Sequence, residues 1–339
     1  MGAAQEGTVA LITMSDIREL ADTIRNFPGV TRKNDIHKVV DMFPTAGFEQ
    51  VIAAEGEDAA VLECGDMCVL FAADGIMQKL IEADPYLAGY YAVLVNVNDI
   101  AAMGGRVLGM VDVMAFRNGD IAPDLLRGVK DGVEKFNVPL VGGHTHPDCD
   151  YSAIDISITG YVRKEDVLLS STAVPGDDVV FIIDTDGRYP ESVPYTYDST
   201  SYKPNDLVQA QMEAAAVVAE RHLAHACKDM SNPGHLGTLG MMLESSGMGA
   251  TVDVRRIPIK EGVDDKLWAT TYFGCAFVFS CDPSHSQEII DIFSKVGCEG
   301  AVVGKVEDTR KLRITDGKDT VDLFDFDKDI ITGVKVKKR

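Results

Sequence analysis

Between residues 95 and 105 the chain reads Val-Asn-Val-Asn-Asp-Ile-Ala-Ala-Met-Gly-Gly, and nowhere else do two amides, a carboxylate and a run of small residues lie so close together. Folded as a helix, the stretch puts Asn96, Asp99 and Met103 on one face at i, i+3 and i+7. Ala101, Ala102, Gly104 and Gly105 leave room for a neighbouring backbone or a phosphate, where a helix built only to fill a core would carry Leu and Ile. These residues alone leave two readings open: a ligand site, or a polar helix end stopped by glycines with Asn and Asp as caps.

A length of 339 residues suggests about two domains, because single cores rarely grow much past ~250 residues. Lys and Arg number 32 against 53 Asp and Glu, a net charge of −21 that disfavours nucleic acid and anionic membranes as partners. An anionic nucleotide would be repelled too, unless divalent cations joined its phosphates to protein carboxylates. The seven cysteines are odd in number, scattered and mostly set in apolar runs, which fits reduced thiols in a cytoplasm. Cys64 and Cys68, four apart across a turn, make a poor metal site. The chain begins with no basic-then-apolar signal pattern and has no apolar run of ~18 residues, so the expectation is a cytoplasmic protein with no membrane span.

Taken in order, Ser15 and Asp16 are cap choices for a helix from Ile17, Pro28-Gly29 stops it, and a short second helix falls within 31–43. Short apolar runs at 51–54, 59–63 and 67–73, split by Gly-Glu-Asp and Gly-Asp turns, read as antiparallel strands. A long helix from Pro85 to Met103, a strand 107–116, a helix 123–136, a strand 138–141 ending at Gly142-Gly143, and a strand 154–162 complete one unit. Pro175-Gly176 leads into a second unit, with strands at 179–183, 250–254, 274–280 and 301–306 and helices at 206–226, 236–245 and 284–295. The Asp-, Ser-, Tyr- and Pro-rich stretch 185–206 is long for a connection and reads as a lid or a mobile loop. The boundaries are 1–50 for a helical leader, 51–168 for the first domain and 169–339 for the second, with a solvated basic tail Lys-Val-Lys-Lys-Arg.

No P-loop is present, and the glycines at 247 and 249 lack the third glycine and preceding strand of a dinucleotide fingerprint. What remains is a set of acidic turns: Glu57-Asp58, Asp74, Asp99 and Asp229. Such oxygen ligands suit Mg²⁺ better than zinc, although any one aspartate alone reads equally as a cap or turn residue. His144 and His146 share one side of a strand and offer a zinc-type pair, against a phosphate-facing donor or a plain structural role for His144. His222 and His225, three apart on the helix and near Cys227, form a weaker chelating set, better explained by an exposed helical face.

Together Gly56-Glu-Asp-Ala-Ala-Val-Leu, Ala73-Asp-Gly, Val95-Asn-Val-Asn-Asp-Ile-Ala-Ala-Met-Gly, Pro139-Leu-Val-Gly-Gly-His-Thr and Lys228-Asp-Met-Ser-Asn-Pro-Gly resemble the aminoimidazole ribonucleotide synthetase (PurM-like) superfamily. That group includes thiamine-monophosphate kinase, selenophosphate synthetase and HypE, and the segment from Lys228 to Ala250 is most similar to the branch called methanogenesis marker protein 2. The resemblance implies an α+β, two-domain fold, with an N-terminal mixed or antiparallel sheet forming a barrel at a homodimer interface and a C-terminal α/β layered domain. It implies an ATP- and Mg²⁺-dependent enzyme phosphorylating or activating a small-molecule substrate of methanogenesis-related cofactor metabolism, with a kinase of thiamine monophosphate, an amide cyclo-ligase and a non-catalytic nucleotide-binding assembly factor as rivals. By motif, Asp58, Asp74, Asp99 and Asp229 are its metal ligands, and Asp99 and Asp229 its catalytic residues. Asn96, Gly142, Gly143 and His144 join Asp58, Asp74 and Asp99 around ATP. Two departures stand out: His144 and Asn232 occupy places where the pattern usually has Asp. The chain also lacks the terminal cysteine of HypE-like proteins and an early cysteine for selenium chemistry.

Overall fold

The computed structural model describes residues 16–117 and 122–334. Ser15 and the basic tail lie outside them, and Asp16 is the cap: its Oδ1 accepts from the Arg18 N–H at 2.8 Å, opening the Ile17–Arg25 helix. Two short helices, Pro28–Thr31 and Ile36–Val40, follow.

The first sheet is built from β1 (Val51–Ala53), β2 (Ala60–Cys64), β3 (Met67–Gly75), β4 (Arg106–Ala115), β5 (Leu140–His146) and β6 (Ala153–Arg163). Its order is β1-β2-β3-β6-β4-β5, antiparallel except for the β4–β5 pair. Period-2 alternation buries Leu70 and Ala72 of β3 with Ile154, Ile156 and Ile158 of β6 under two helices, Pro85–Ala102 and Ala122–Phe136. The other face carries Phe71, Val111, Val113 and Tyr161, all exposed by more than a third.

The second sheet uses β7 (Asp178–Ile183), β9 (Ala226–Asp229), β10 (Gly249–Asp253), β12 (Ala276–Cys281), β13 (Glu299–Glu307), β14 (Lys311–Thr315) and β15 (Thr320–Asp325), in the order β15-β14-β10-β13-β7-β12-β9. The residues of β7 are buried on both faces, with Val180 and Ile182 in one core and Val179, Phe181 and Ile183 in another. That second core also takes Ile17, Leu20, Ala21, Ile24 and Val30, so the supposed leader is an integral layer of the second unit. A small parallel ribbon pairs β8 (Thr196–Tyr197) with β11 (Tyr272–Phe273).

Three expectations need correction. The strand after residue 138 continues through Gly142 and Gly143 to His146, because β5 pairs with β4, Gly142 opposite Val111 and Gly143 opposite Asp112. A Cβ on Gly143 would meet the Asp112 carboxylate at 1.6 Å, so this glycine makes room for a neighbouring side chain. The helix expected to reach residue 226 ends at Glu220, and His222 at φ 51° turns the chain into β9. The 185–206 segment is no loose lid: Thr196, Tyr197, Asp198, Ser199 and Thr200 are buried, Tyr90 donates to Thr200 Oγ1 at 3.1 Å, and Lys203 donates to both Asp184 oxygens.

The Pro85–Ala102 helix joins the two units. Pro85 sits at its first turn and Asp84 caps it, accepting from the Leu87 N–H at 2.9 Å. Just past its end Gly104, at φ 73°, would place a Cβ 2.5 Å from that of Ala219 on the Asn205–Glu220 helix. Gly104→Ala therefore adds overpacking to backbone strain, whereas Gly176→Ala (φ 97°, open space) adds strain alone. The expected outcome in urea unfolding is a loss of ~1 kcal/mol for Gly176→Ala and about 1–3 kcal/mol more for Gly104→Ala; equal losses would mean the helix end does not set the joint.

Candidate functional site

Four aspartates from four separate elements converge where the two units meet. Asp58 follows the turn at Gly56, whose φ is 83°, and that turn is tied to the inter-unit connection: Glu57 accepts from the Ser170 N–H at 2.5 Å and from the Ser171 hydroxyl at 2.6 Å. Asp74 takes the last inward position of β3, in step with Leu70 and Ala72. Asp99 lies in the last turn of the Pro85–Ala102 helix, and Asp229 ends β9, opposite Phe277 of β12. Ligand oxygens of Asp58, Asp99 and Asp229 lie within 4.8 Å of one another, Asp229 buried and the other two part-exposed. Asp74 acts electrostatically on Asp99 and Asp229 from alongside.

The charge balance is unusual. Burial, then repulsion from Asp74, Asp229 and Asp58, holds the Asp99 carboxyl well above its ordinary 3.8. Burial and Asp58 do the same to Asp229, against the pull of Lys228. Lys228, itself buried, donates to Asp58, and although burial works to lower its pKa, Asp58 and Asp229 outweigh that and keep it charged. Lys33, delivered by the N-terminal segment, is depressed by burial and by Lys228, partly offset by Asp74 and Asp229.

Asn96 is spent on scaffolding. Its Oδ1 accepts from the Asp74 N–H at 3.2 Å while its Nδ2 donates to the Ala92 carbonyl at 2.9 Å. Asn98 donates to the Gly274 carbonyl at 3.0 Å, tying the helix to the second unit. Gly142, Gly143 and His144 are not drawn into the cluster. Gly143 lies in the cross-strand row of Asp74, Ile156 and Asp112, three strand spacings or roughly 14 Å from Asp74. His144 and His146 do share a face, with rings 4.5 Å apart, but both are exposed and no third metal-ligating side chain joins them among the described residues. His222 and His225 are not on a helix: His222 faces Asp166 and His225 Nδ1 lies 2.9 Å from Asp177, while Cys227 is buried. Sequence reasoning missed Lys228 and Lys33. A lysine inside the apolar run Ala-Cys-Lys-Asp was a usable signal for the first, since a buried lysine needs a partner; nothing in the sequence marked the second.

Residues 56–162 match the family model for the AIR synthase related protein N-terminal domain, and 195–317 that for its C-terminal domain. An uncharacterised protein of Methanocaldococcus jannaschii is 45% identical, covering 94% of this chain and 99% of that one. The selenide, water dikinase of Treponema denticola is 29% identical over 61% of this chain and 60% of that one. Thermotoga maritima PurL complexed with ADP superposes with a TM-score of 0.74 at 19% identity, over 91% of this chain. This chain spans half the length of that PurL chain.

The raised carboxyls set a pH dependence. An acid whose pKa is higher folded than unfolded binds more protons in the native state, so stability falls as pH rises from about 4 towards the folded value. Without divalent cations, the melting temperature of Asp99→Asn relative to wild type should climb as pH is raised from about 4 to 8, and Mg²⁺ should raise the wild type more than the variant. Melts in EDTA and in Mg²⁺ check this; parallel curves would mean the carboxylates do not repel one another.

Proposed function

The chain belongs to the AIR synthase related protein family, and from that premise we propose that it is an ATP- and Mg²⁺-dependent enzyme that phosphorylates or otherwise activates an oxygen of a small-molecule substrate. The observation that carries this is the trio of Asp58, Asp99 and Asp229, three hard oxygen donors within 4.8 Å whose like charges are only partly offset by Lys228. Such a set fits Mg²⁺, with Asp74 beside it as a further ligand, and suits no soft metal. Bound there, Mg²⁺ would neutralise phosphate charge that a protein of net −21 otherwise repels.

The chain's own residues act by position and charge. Lys228 fixes Asp58, Asn96 fixes the backbone of Asp74, and Lys33 supplies a cation at the site edge for an anionic group. No protein nucleophile is needed. Support for an ATP-using reaction comes from relatives: one is named a selenide, water dikinase, and a fold neighbour is complexed with ADP. A substrate in methanogenesis-related metabolism draws support only from the M. jannaschii relative and the Lys228–Ala250 segment. The rival reading, a nucleotide-binding assembly factor, is favoured by His144 lying exposed where the family pattern has Asp; ATP turnover against binding alone separates the two.

Asp99→Asn keeps shape and removes charge. Calorimetric titration with Mg-ATP should show more than a tenfold loss of affinity, about 1.4 kcal/mol, in a protein that keeps its fold. Unchanged affinity would make this stretch a structural helix end.

The reading includes a cytoplasmic homodimer. One chain holds an open six-stranded sheet whose outer face exposes Phe71, Val111, Val113 and Tyr161, and a second copy closing over it as a barrel would cover them. Light scattering should give a dimer at micromolar concentration and a monomer for Val113→Asp, whereas a monomeric wild type would count against this face as an interface.

A further inference from the structure

Eight tyrosines line the joint between the units or the segment wedged into it, and six have a hydroxyl partner. Tyr86 donates to Asp131, Tyr90 to Thr200, Tyr197 to the Thr185 carbonyl and Tyr202 to the Asp186 carbonyl, while Tyr91 pairs with Thr196 and Tyr189 with Thr271. Two have no hydroxyl partner among the described residues: Tyr195, which is exposed, and Tyr272, which is part-buried. The Tyr272 hydroxyl is not shut away as an unsatisfied buried group, so it is free to bond to what occupies the space beside it.

The backbone around Tyr272 is fixed from several sides. Its N–H donates to the Tyr195 carbonyl at 3.3 Å, and β11 pairs in parallel with β8, Tyr272 opposite Thr196. Two residues on, the Gly274 carbonyl accepts from Asn98, the neighbour of Asp99. Further on, Ala276 accepts from the N–H of Met230, the neighbour of Asp229. On the preceding side, Gly234 packs so closely on Ala269 that a Cβ there would meet the Ala269 carbonyl at 2.1 Å. The 269–276 segment therefore runs along the seam between the Asp99 helix and the Asp229 loop, with Tyr272 at the seam. Burial raises the phenol's pKa first, followed by the charges of Asp74, Asp229 and Asp99, so it remains protonated and can donate.

We propose that Tyr272 is a ligand-contacting residue of the carboxylate site, its hydroxyl donating a hydrogen bond to a phosphoryl oxygen of the cation-bound nucleotide. The inference rests on the Mg-ATP reading of that site. It assigns the second unit a direct contact with the reacting group, made by an uncharged donor where added positive charge would compete with the cation for the carboxylates. The donor is pinned through Asn98 to the same helix that carries Asp99, so cation ligand and phosphoryl donor are held in one frame.

The test is Tyr272→Phe, which deletes only the hydroxyl. Since no protein partner is lost, its melting temperature should stay within about 2 °C of wild type, whereas Tyr91→Phe, which loses Thr196, should melt lower with nucleotide affinity intact. Titrated with Mn²⁺ alone, Tyr272→Phe should match wild type; titrated with Mg-ATP it should bind about tenfold more weakly or worse. Wild-type affinity for Mg-ATP in Tyr272→Phe overturns the inference and leaves the reading of the site standing. Equal losses for Mn²⁺ and Mg-ATP, or a large drop in melting temperature, make Tyr272 a scaffold residue and also overturn it. A wild type that binds Mn²⁺ but no Mg-ATP removes the nucleotide reading, and this inference falls with it.

Discussion

The structure turns on placing several carboxylates at a seam between two hydrophobic units. Removing like charges from water is costly, and burial first, then repulsion from neighbouring aspartates, raises the carboxyls of Asp99 and Asp229. A fold tolerates that only when the surrounding elements are rigid and leave the groups nowhere to go. The Pro85–Ala102 helix meets this need: from Leu87 to Ala102 every residue but Asp99 is buried, so its position is fixed by packing on both sides. Asp99 cannot swing out to solvent without moving the joint itself.

Small residues serve the same arrangement in ways their neighbours in sequence do not reveal. Gly104 sits where the helix end presses on Ala219, and Gly105 where a Cβ would meet Leu70 at 2.2 Å. These glycines let helix, sheet and second unit approach closely, rather than leaving space for a phosphate. Gly143 does likewise for Asp112. The charges beside the carboxylates come instead from two lysines far apart in the chain, Lys33 and the buried Lys228.

What was legible in the sequence follows from which forces are local. Strands at 60–64, 67–75, 106–115, 153–163 and 178–183 announced themselves by alternation or by short apolar runs, and the long helix by Pro85 and its length. Aspartates of the cluster were legible as a set through their motifs. Lost were features set by partners distant in the chain. β5 crosses a glycine pair only because β4 lies beside it, and β14 and β15, in an Asp- and Lys-rich stretch, gain their place by pairing with β10 and each other. The helix at residue 17 looked like a leader because the sheet it covers ends some 300 residues later. Tyr272 carried no local signal at all.

The inter-unit joint also bears on how a ligand reaches the site. A hinge between units would be expected to show a loose connection there, yet the 185–204 segment is wedged in place by Tyr90, Tyr91 and Lys135 of the first unit and by Asp184 of the second. Opening the units as rigid bodies would expose the buried Lys203–Asp184 pair, and removing either partner's shielding leaves a charge to be solvated anew. At the carboxylate side of the seam, Asp58 and Asp99 remain part-exposed. On the Mg-ATP reading, a nucleotide would meet Asp229, Lys228 and the Asp99 helix, a floor held by packing. The geometry that would select it is therefore set before binding.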